Sequence, residues 1–145
     1  MTNERLAHAW EEIKARNLAE AEEIFRSVAE SDPETIDAWN GLGAVHFEHG
    51  EVEESLKCYE KALKAALAKH GGAFPKRMAW TDEHKPALRA IHGMGLDFFR
   101  MGRYDDARER FETLLRLNPD DNQGAAFLLK DVERKAHLWK KGDGT

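Results

Sequence analysis

Side chains able to do chemistry are sparse in this chain of 145 residues. His46 and His49 stand three apart in His46-Phe47-Glu48-His49. Two imidazoles at that spacing can share a metal ion. Two ligands do not complete a site, and no cysteine pair or third ligand stands near them in sequence. Both read as solvated or capping histidines, and no metal is expected. Trp80-Thr81-Asp82-Glu83-His84 holds acid and base types. It lacks a nucleophile or a paired carboxylate to give them a catalytic frame. Cys58, the one cysteine, follows Lys57 and precedes Tyr59, and reads as a partly buried, inert thiol. The phosphate-binding, zinc-protease and nucleophile-elbow motifs are absent. No enzyme, no catalytic residue and no cofactor are therefore expected, and recognition of another molecule is the better supported class.

Composition narrows the class further. Apolar residues make up 41% and charged residues 34%, which suits a helical, water-facing domain. A net charge of −5 argues against a nucleic-acid partner, which selects for a basic face. A single cysteine excludes an intrachain disulfide and fits a reducing compartment. The charged start, Met1-Thr2-Asn3-Glu4-Arg5, lacks the apolar core of a signal peptide. No apolar run reaches the roughly 18 residues of a membrane span. A cytoplasmic location and no membrane contact are expected.

The elements that must position any site show in the pattern from Gly95 to Pro119. Met94, Phe98 and Met101 share one helical face, and Gly102 ends that helix. Tyr104, Ala107, Phe111, Leu114 and Leu115 form the apolar stripe of a second helix. Asn118-Pro119 stops it, because the residue before proline avoids helical geometry. Such a hairpin cannot bury its own apolar face, and the chain supplies copies. Gly43, Phe47, Gly50, Ser55, Tyr59, Ala62 and Leu63 stand 52 residues before Gly95, Phe99, Gly102, Ala107, Phe111, Leu114 and Leu115. Ala21, Phe25 and Val28 stand 34 before Ser55, Tyr59 and Ala62, and Asp32-Pro33 closes that unit. A period of 34 with small and aromatic residues at fixed offsets is that of a helix–turn–helix repeat.

These residues resemble the tetratricopeptide repeat family. Trp39, Leu42 and Gly43 carry the motif of the first helix, and Gly50, Tyr59, Ala62, Gly95, Gly102, Tyr104, Ala107, Phe111 and Pro119 extend it. In the first repeat Arg5, His8 and Ala9 replace the usual Trp, Leu and Gly. The resemblance implies an all-α, right-handed α-solenoid: three repeats at about 2–35, 36–69 and 88–121, then a C-terminal capping helix at 122–139 and a frayed tail from Lys140. The whole is one domain. The Asn118-Pro119-Asp120-Asp121-Asn122-Gln123-Gly124 junction is similar to that of tetratricopeptide segments in several bacterial proteins.

The resemblance also implies a concave groove lined by the first helix of each repeat. The family's groove positions fall on Leu6, Trp10, Ile13 and Lys14, then on Asp37, Asn40, Ala44, Phe47 and Glu48. They continue on Arg89, His92, Leu96, Phe99 and Arg100, and on Gln123, Ala126 and Lys130 of the cap. Asn40, Phe47, Arg89, His92, Leu96, Phe99 and Arg100 are the candidate partner-binding residues. Apolar anchors beside arginines suit a peptide with an acidic group. The expected partner is a protein or peptide segment. A homodimer made by the same surfaces is the alternative, and a groove filled by the terminal helix is a third arrangement. Chaperone-binding members use a clamp of Lys, Asn, Asn, Lys and Arg. Those places hold Leu6, Trp10, Gly41, Arg89 and Gly93 here, so the clamp is absent.

The two shifts differ by 18, which marks an insertion over residues 70–87. Gly71-Gly72 and Pro75 interrupt helix there. Phe74, Met78 and Trp80 are large apolar residues in a segment expected at the surface. They either fold back to cap the junction of repeats two and three or offer a ligand, partner or self-association surface.

Overall fold

The computed structural model describes residues 2–143, with side-chain burial through 137. Among the described residues there are seven helices and no strand: α1 (Thr2–Lys14), α2 (Leu18–Ser31), α3 (Ile36–Glu48), α4 (Val52–Lys69), α5 (Lys85–Arg100), α6 (Tyr104–Leu117) and α7 (Ala125–Asp143). Helices α1/α2, α3/α4 and α5/α6 form the three hairpins, and each second helix packs on the first helix of the next unit. The first helices also touch in series, α1 on α3 and α3 on α5. The molecule is thus an all-α solenoid. No described helix is long and apolar enough to cross a membrane.

Each hairpin turns at a residue in the left-handed backbone region. Gly50 and Gly102 have φ of +77°, which glycine adopts at no steric cost. The matching place in the first hairpin is Arg16, with φ of +66°. A non-glycine residue there is strained by about 1 kcal/mol. Arg16 offsets part of that by donating to Glu48 at 2.8 Å, which ties the first turn to α3.

The packing rests on glycines under rings. Gly41 abuts Phe25 of α2, Gly93 abuts Tyr59 of α4, and Gly95 abuts Phe111 of α6. Tyr59 is also flanked by Gly43 of its own hairpin, where an added Cβ would lie 2.8 Å from the ring. Phe25 and Phe111 have no exposed surface.

The insertion is part of the core. Met78 is fully buried, and Phe74 and Trp80 pack half-buried against the same cluster. The Met78 amide donates to the Leu117 carbonyl at 2.7 Å, and Asn118 Nδ2 donates to the Met78 carbonyl at 2.9 Å. The segment is therefore strapped to the end of α6. This is the fold-back arrangement, and it removes Met78 from any exposed partner surface. The helix that follows begins at Lys85, inside the range expected for the insertion.

The cap begins later than expected. Residues 122–124 are a turn, and the Asp121 carboxylate accepts from the amides of Ala125 and Ala126, an N-terminal cap for α7. Gln123 Nε2 donates to the Leu88 carbonyl at 3.2 Å and fastens the cap to α5. Helix α7 continues to Asp143, across most of the expected tail from Lys140. The last two residues of that tail lie outside the described residues.

One buried acid stands in the α4–α5 interface. Asp97 has no exposed surface, and its Oδ2 accepts from Ser55 Oγ at 2.7 Å. Its Oδ1 has no hydrogen-bond partner. Burial pushes the carboxyl up to about 7, against the opposing Ser55 hydrogen bond and the Arg100 charge.

Two outcomes test this packing. Gly93→Ala gains about 1 kcal/mol of helix propensity. The Tyr59 ring, hemmed in on both sides, cannot give way, and overpacking costs about 1–3 kcal/mol. Urea unfolding should show net destabilisation, and the same change made in a Tyr59→Leu background should cost much less. For Asp97, the unfolded carboxyl loses its proton near pH 3.8 and the folded one near 7. The folded state binds more protons across that window, so this group's contribution to stability falls as pH rises through it. Asp97→Asn should exceed the wild type by a few kcal/mol at pH 8, with the gap closing toward pH 5. Equal gaps at both pH values would contradict the assignment.

Candidate functional site

A cleft of about 610 Å³ opens where α1, the start of α3 and the start of α5 converge. It is lined by Leu6, Ala7 and Trp10 of α1 and by Ile36 and Asp37 of α3. Lys85, Pro86 and Arg89 of α5, Asp82 of the insertion, Lys69 at the end of α4 and Glu34 just before α3 also line it. The repeat places these residues together. Asp37 and Arg89 stand 52 apart, the repeat shift, so they hold the same position in successive units.

Arg89 Nη1 donates to Asp37 Oδ2 at 2.8 Å, and its guanidinium lies 5.4 Å from the centre of the Trp10 ring. Trp10 is braced edge-on against Phe25, with ring centroids 5.1 Å apart. Asn40 completes the group. Its Nδ2 donates to Asp37 Oδ1 at 3.0 Å and to the Pro86 carbonyl at 2.8 Å. Asn40 has no exposed surface, so it clips α5 to α3 and does not present its amide to the groove. Two buried polar atoms here lack hydrogen-bond partners: Trp10 Nε1 and Asn40 Oδ1.

The other groove candidates form a second patch. Arg100 lies over the Phe47 ring at 4.7 Å and donates from Nη1 to the Phe47 carbonyl at 3.3 Å. Phe99 packs edge-on against Tyr104 at 5.7 Å, and Leu96 is half-buried against the main core cluster. His92 is half-buried, with its ring 6.2 Å from that of Phe111. Burial pulls its pKa down, only partly opposed by Asp121, so it is neutral at pH 7. The structure therefore unites Asn40 with Arg89 and Phe47 with Arg100, while His92, Leu96 and Phe99 are half-buried, each with part of its surface still exposed.

His46 and His49 both face Glu51 at the α3–α4 turn. His46 Nδ1 lies 2.9 Å and His49 Nδ1 lies 3.6 Å from Glu51 Oε1. The hydrogen bond from His46 holds the Glu51 carboxyl below its ordinary range. In the 80–84 run, Trp80 is half-buried under Lys85, 5.5 Å away, and His84 precedes α5. Nothing there aligns a nucleophile with a base.

Sequence reasoning placed Asp37 on the groove without recognising it as the hub that holds Arg89 and Asn40. The signal was available: opposite charges at one repeat position stand side by side when the units stack. Ile36, Lys69 and Lys85 were missed because their approach depends on where the insertion returns the chain.

The profile of the tetratricopeptide repeat matches residues 6–75 and 92–130. The protein CTR9 homolog of Arabidopsis thaliana is 32% identical over 106 residues, covering 73% of this chain and 8% of that protein. The cellulose synthase 1 operon protein C of Komagataeibacter xylinus is 24% identical over 130 residues, covering 86% of this chain and 9% of that protein. The tetratricopeptide repeat-containing protein trd-1 of Caenorhabditis elegans is 29% identical over 112 residues, covering 74% and 14%. The chain thus spans between 8% and 14% of the length of these relatives. A crystal structure of MamA protein aligns over 97% of this chain and 85% of that one, at 16% identity and a TM-score of 0.40. With its hairpins, its glycine-seated rings and a profile match over most of its length, this chain belongs to the tetratricopeptide repeat family, whose repeats generally mediate protein–protein interaction and whose members are generally non-enzymatic.

Proposed function

We propose that this chain is a non-enzymatic adaptor that takes a peptide segment of another protein in the cleft bounded by α1, α3 and α5. One observation carries the reading: the cleft of about 610 Å³ sets the apolar side chains Leu6, Trp10 and Ile36 beside the cations Lys69, Lys85 and Arg89, two of them held by the acids Asp82 and Asp37 that also line it. Its size falls in the range of about 300–1,000 Å³ that holds a ligand the size of a few side chains. Arg89 is already oriented by Asp37 and Trp10, and Nη1 is the nitrogen engaged with the carboxylate. A preoriented guanidinium with donors to spare loses little freedom on pairing with an incoming carboxylate. Phe47 and Arg100 extend the same concave side and take the far end of a longer segment. The insertion shapes the entrance through Asp82, so it governs access without supplying the anchor. The setting is a reducing, cytoplasmic one, in which Cys58 stays a thiol because burial pushes its pKa up to about 11.

A second reading, association between copies, draws on Phe127. It is a large apolar side chain on α7 with 77% of its surface exposed. Copies meeting there would bury it. A sedimentation mass that rises with concentration in the wild type and not in Phe127→Ser supports this reading, and a constant monomer mass removes it.

The adaptor reading is tested by filling the cleft. Ala7 is exposed on its wall, so Ala7→Arg should leave folding intact while occupying the space. Proteins captured from a lysate by the wild type should be lost with Ala7→Arg at equal helicity by circular dichroism. If they are retained by Ala7→Arg and lost with Phe47→Ala, recognition sits at the other end of the groove. If both variants keep them, the groove is not the site.

A further inference from the structure

We infer that His8, Glu12 and Glu20 form a binding site for a divalent cation of the zinc class, joining α1 to α2. The three stand together on the outside of the first hairpin, apart from the cleft. Glu12 follows His8 by one helical turn on α1, so the two share a face. Glu20 lies in the first turn of α2 and is brought over them by the hairpin. His8 Nε2 lies 3.6 Å from Glu20 Oε1 and 3.9 Å from Glu12 Oε1. One ligand atom from each of the three lies within 4.8 Å of the other two. Tetrahedral zinc with bonds of about 2.0–2.1 Å spaces its ligands by about 3.3–3.4 Å. Small side-chain rotations close that difference.

Three further features make the cluster suitable. Asn17 Nδ2 donates to Glu12 Oε2 at 2.8 Å, which leaves Oε1 turned toward His8, the orienting contact that metal-bound carboxylates use. The nearby cations are engaged elsewhere: Lys14 with Glu11, Arg16 with Glu48, and Arg5 with Ser27 Oγ. Two carboxylates thus approach each other with only a histidine between them, a repulsion that a divalent ion removes. His8 and Glu20 are 56% and 57% exposed, so an ion enters without opening the fold and water completes its coordination. One imidazole with two carboxylates suits zinc better than calcium or magnesium, which favour all-oxygen shells. His46 and His49 each reach Glu51 Oε1, but among the described residues it is His8, Glu12 and Glu20 whose ligand atoms all come within 4.8 Å of one another.

The test is calorimetric titration of the untagged full chain with zinc chloride in a non-coordinating buffer. The wild type should bind one ion per chain and melt at a higher temperature when it is present. His8→Ala and Glu20→Gln should each weaken binding by at least about tenfold and abolish the melting shift. His46→Ala should change neither. Both altered side chains are more than half exposed, and circular dichroism will verify that the variants stay folded. Absence of saturable binding in the wild type overturns the inference. So does binding that survives His8→Ala, or that is lost only in His46→Ala.

Discussion

The structure depends on a ring pressed against a helix that has no side chain at that point. Phe25, Tyr59 and Phe111 each project from a second helix, and glycines of the first helices receive them: Gly41 for Phe25, Gly43 and Gly93 for Tyr59, Gly95 for Phe111. Bare backbone lets the helix axes approach to about 8 Å, the short end of the usual range. The ring then fills what would otherwise be a void, and its apolar area leaves water. Gly41 and Gly93 are at the same repeat position, so the same contact is made twice along the stack. That contact also accounts for the missing clamp. Those two glycines occupy places where chaperone-binding relatives carry polar or charged side chains, and here a side chain at either place would displace the ring that holds the next repeat.

The polar residues of the groove are organised by the same stacking. Asp37 and Arg89 pair across adjacent units, Asn40 reaches the Pro86 carbonyl, Arg16 reaches Glu48 and Gln123 reaches the Leu88 carbonyl. Each of these contacts fastens one first helix or turn to the next. A groove residue is therefore not free for a ligand merely because it faces the right way. The Asn40 amide nitrogen is spent on the scaffold, and its side chain is buried. Arg89 is spent in part, and that part fixes its direction, so one contact serves both stacking and presentation.

Much of this was legible in the sequence because repetition marks it. Gly50 and Gly102 at the turns, Tyr59 and Phe111 on the second helices, and Pro33 and Pro119 at the corners recur at fixed shifts, and each has a local physical cause. The insertion has no copy to compare with. Its three apolar residues showed that something was to be buried, but Met78 is placed by the Leu117 carbonyl and the Asn118 amide, about 40 residues away in sequence. The groove face of Asn40 and Arg89 was readable from repeat position. Their hydrogen bonds were not, since those depend on side-chain lengths across a gap that only the stacked units define. For the His8 cluster, the spacing of His8 and Glu12 is visible in the sequence, whereas Glu20 arrives only through the hairpin.

The first hairpin is the least consolidated of the three, and it forms a wall of the cleft. Its turn residue is Arg16 where the others have glycine, and Ala9 stands where they have Gly43 and Gly95. Helix α1 meets α3 along its side, while its tie to α5 is the Arg89 guanidinium over Trp10. A cleft between a well-packed helix and a lightly held one is shaped partly by whatever sits in it. A segment seated between Trp10 and Arg89 would touch repeats one and three at once and supply the contact that the stack itself makes only thinly. Binding free energy then adds directly to the stability of the weakest unit, because the ligand favours the state in which α1 is docked. Under the proposed function, recognition at this cleft and the ordering of the first repeat would be one equilibrium.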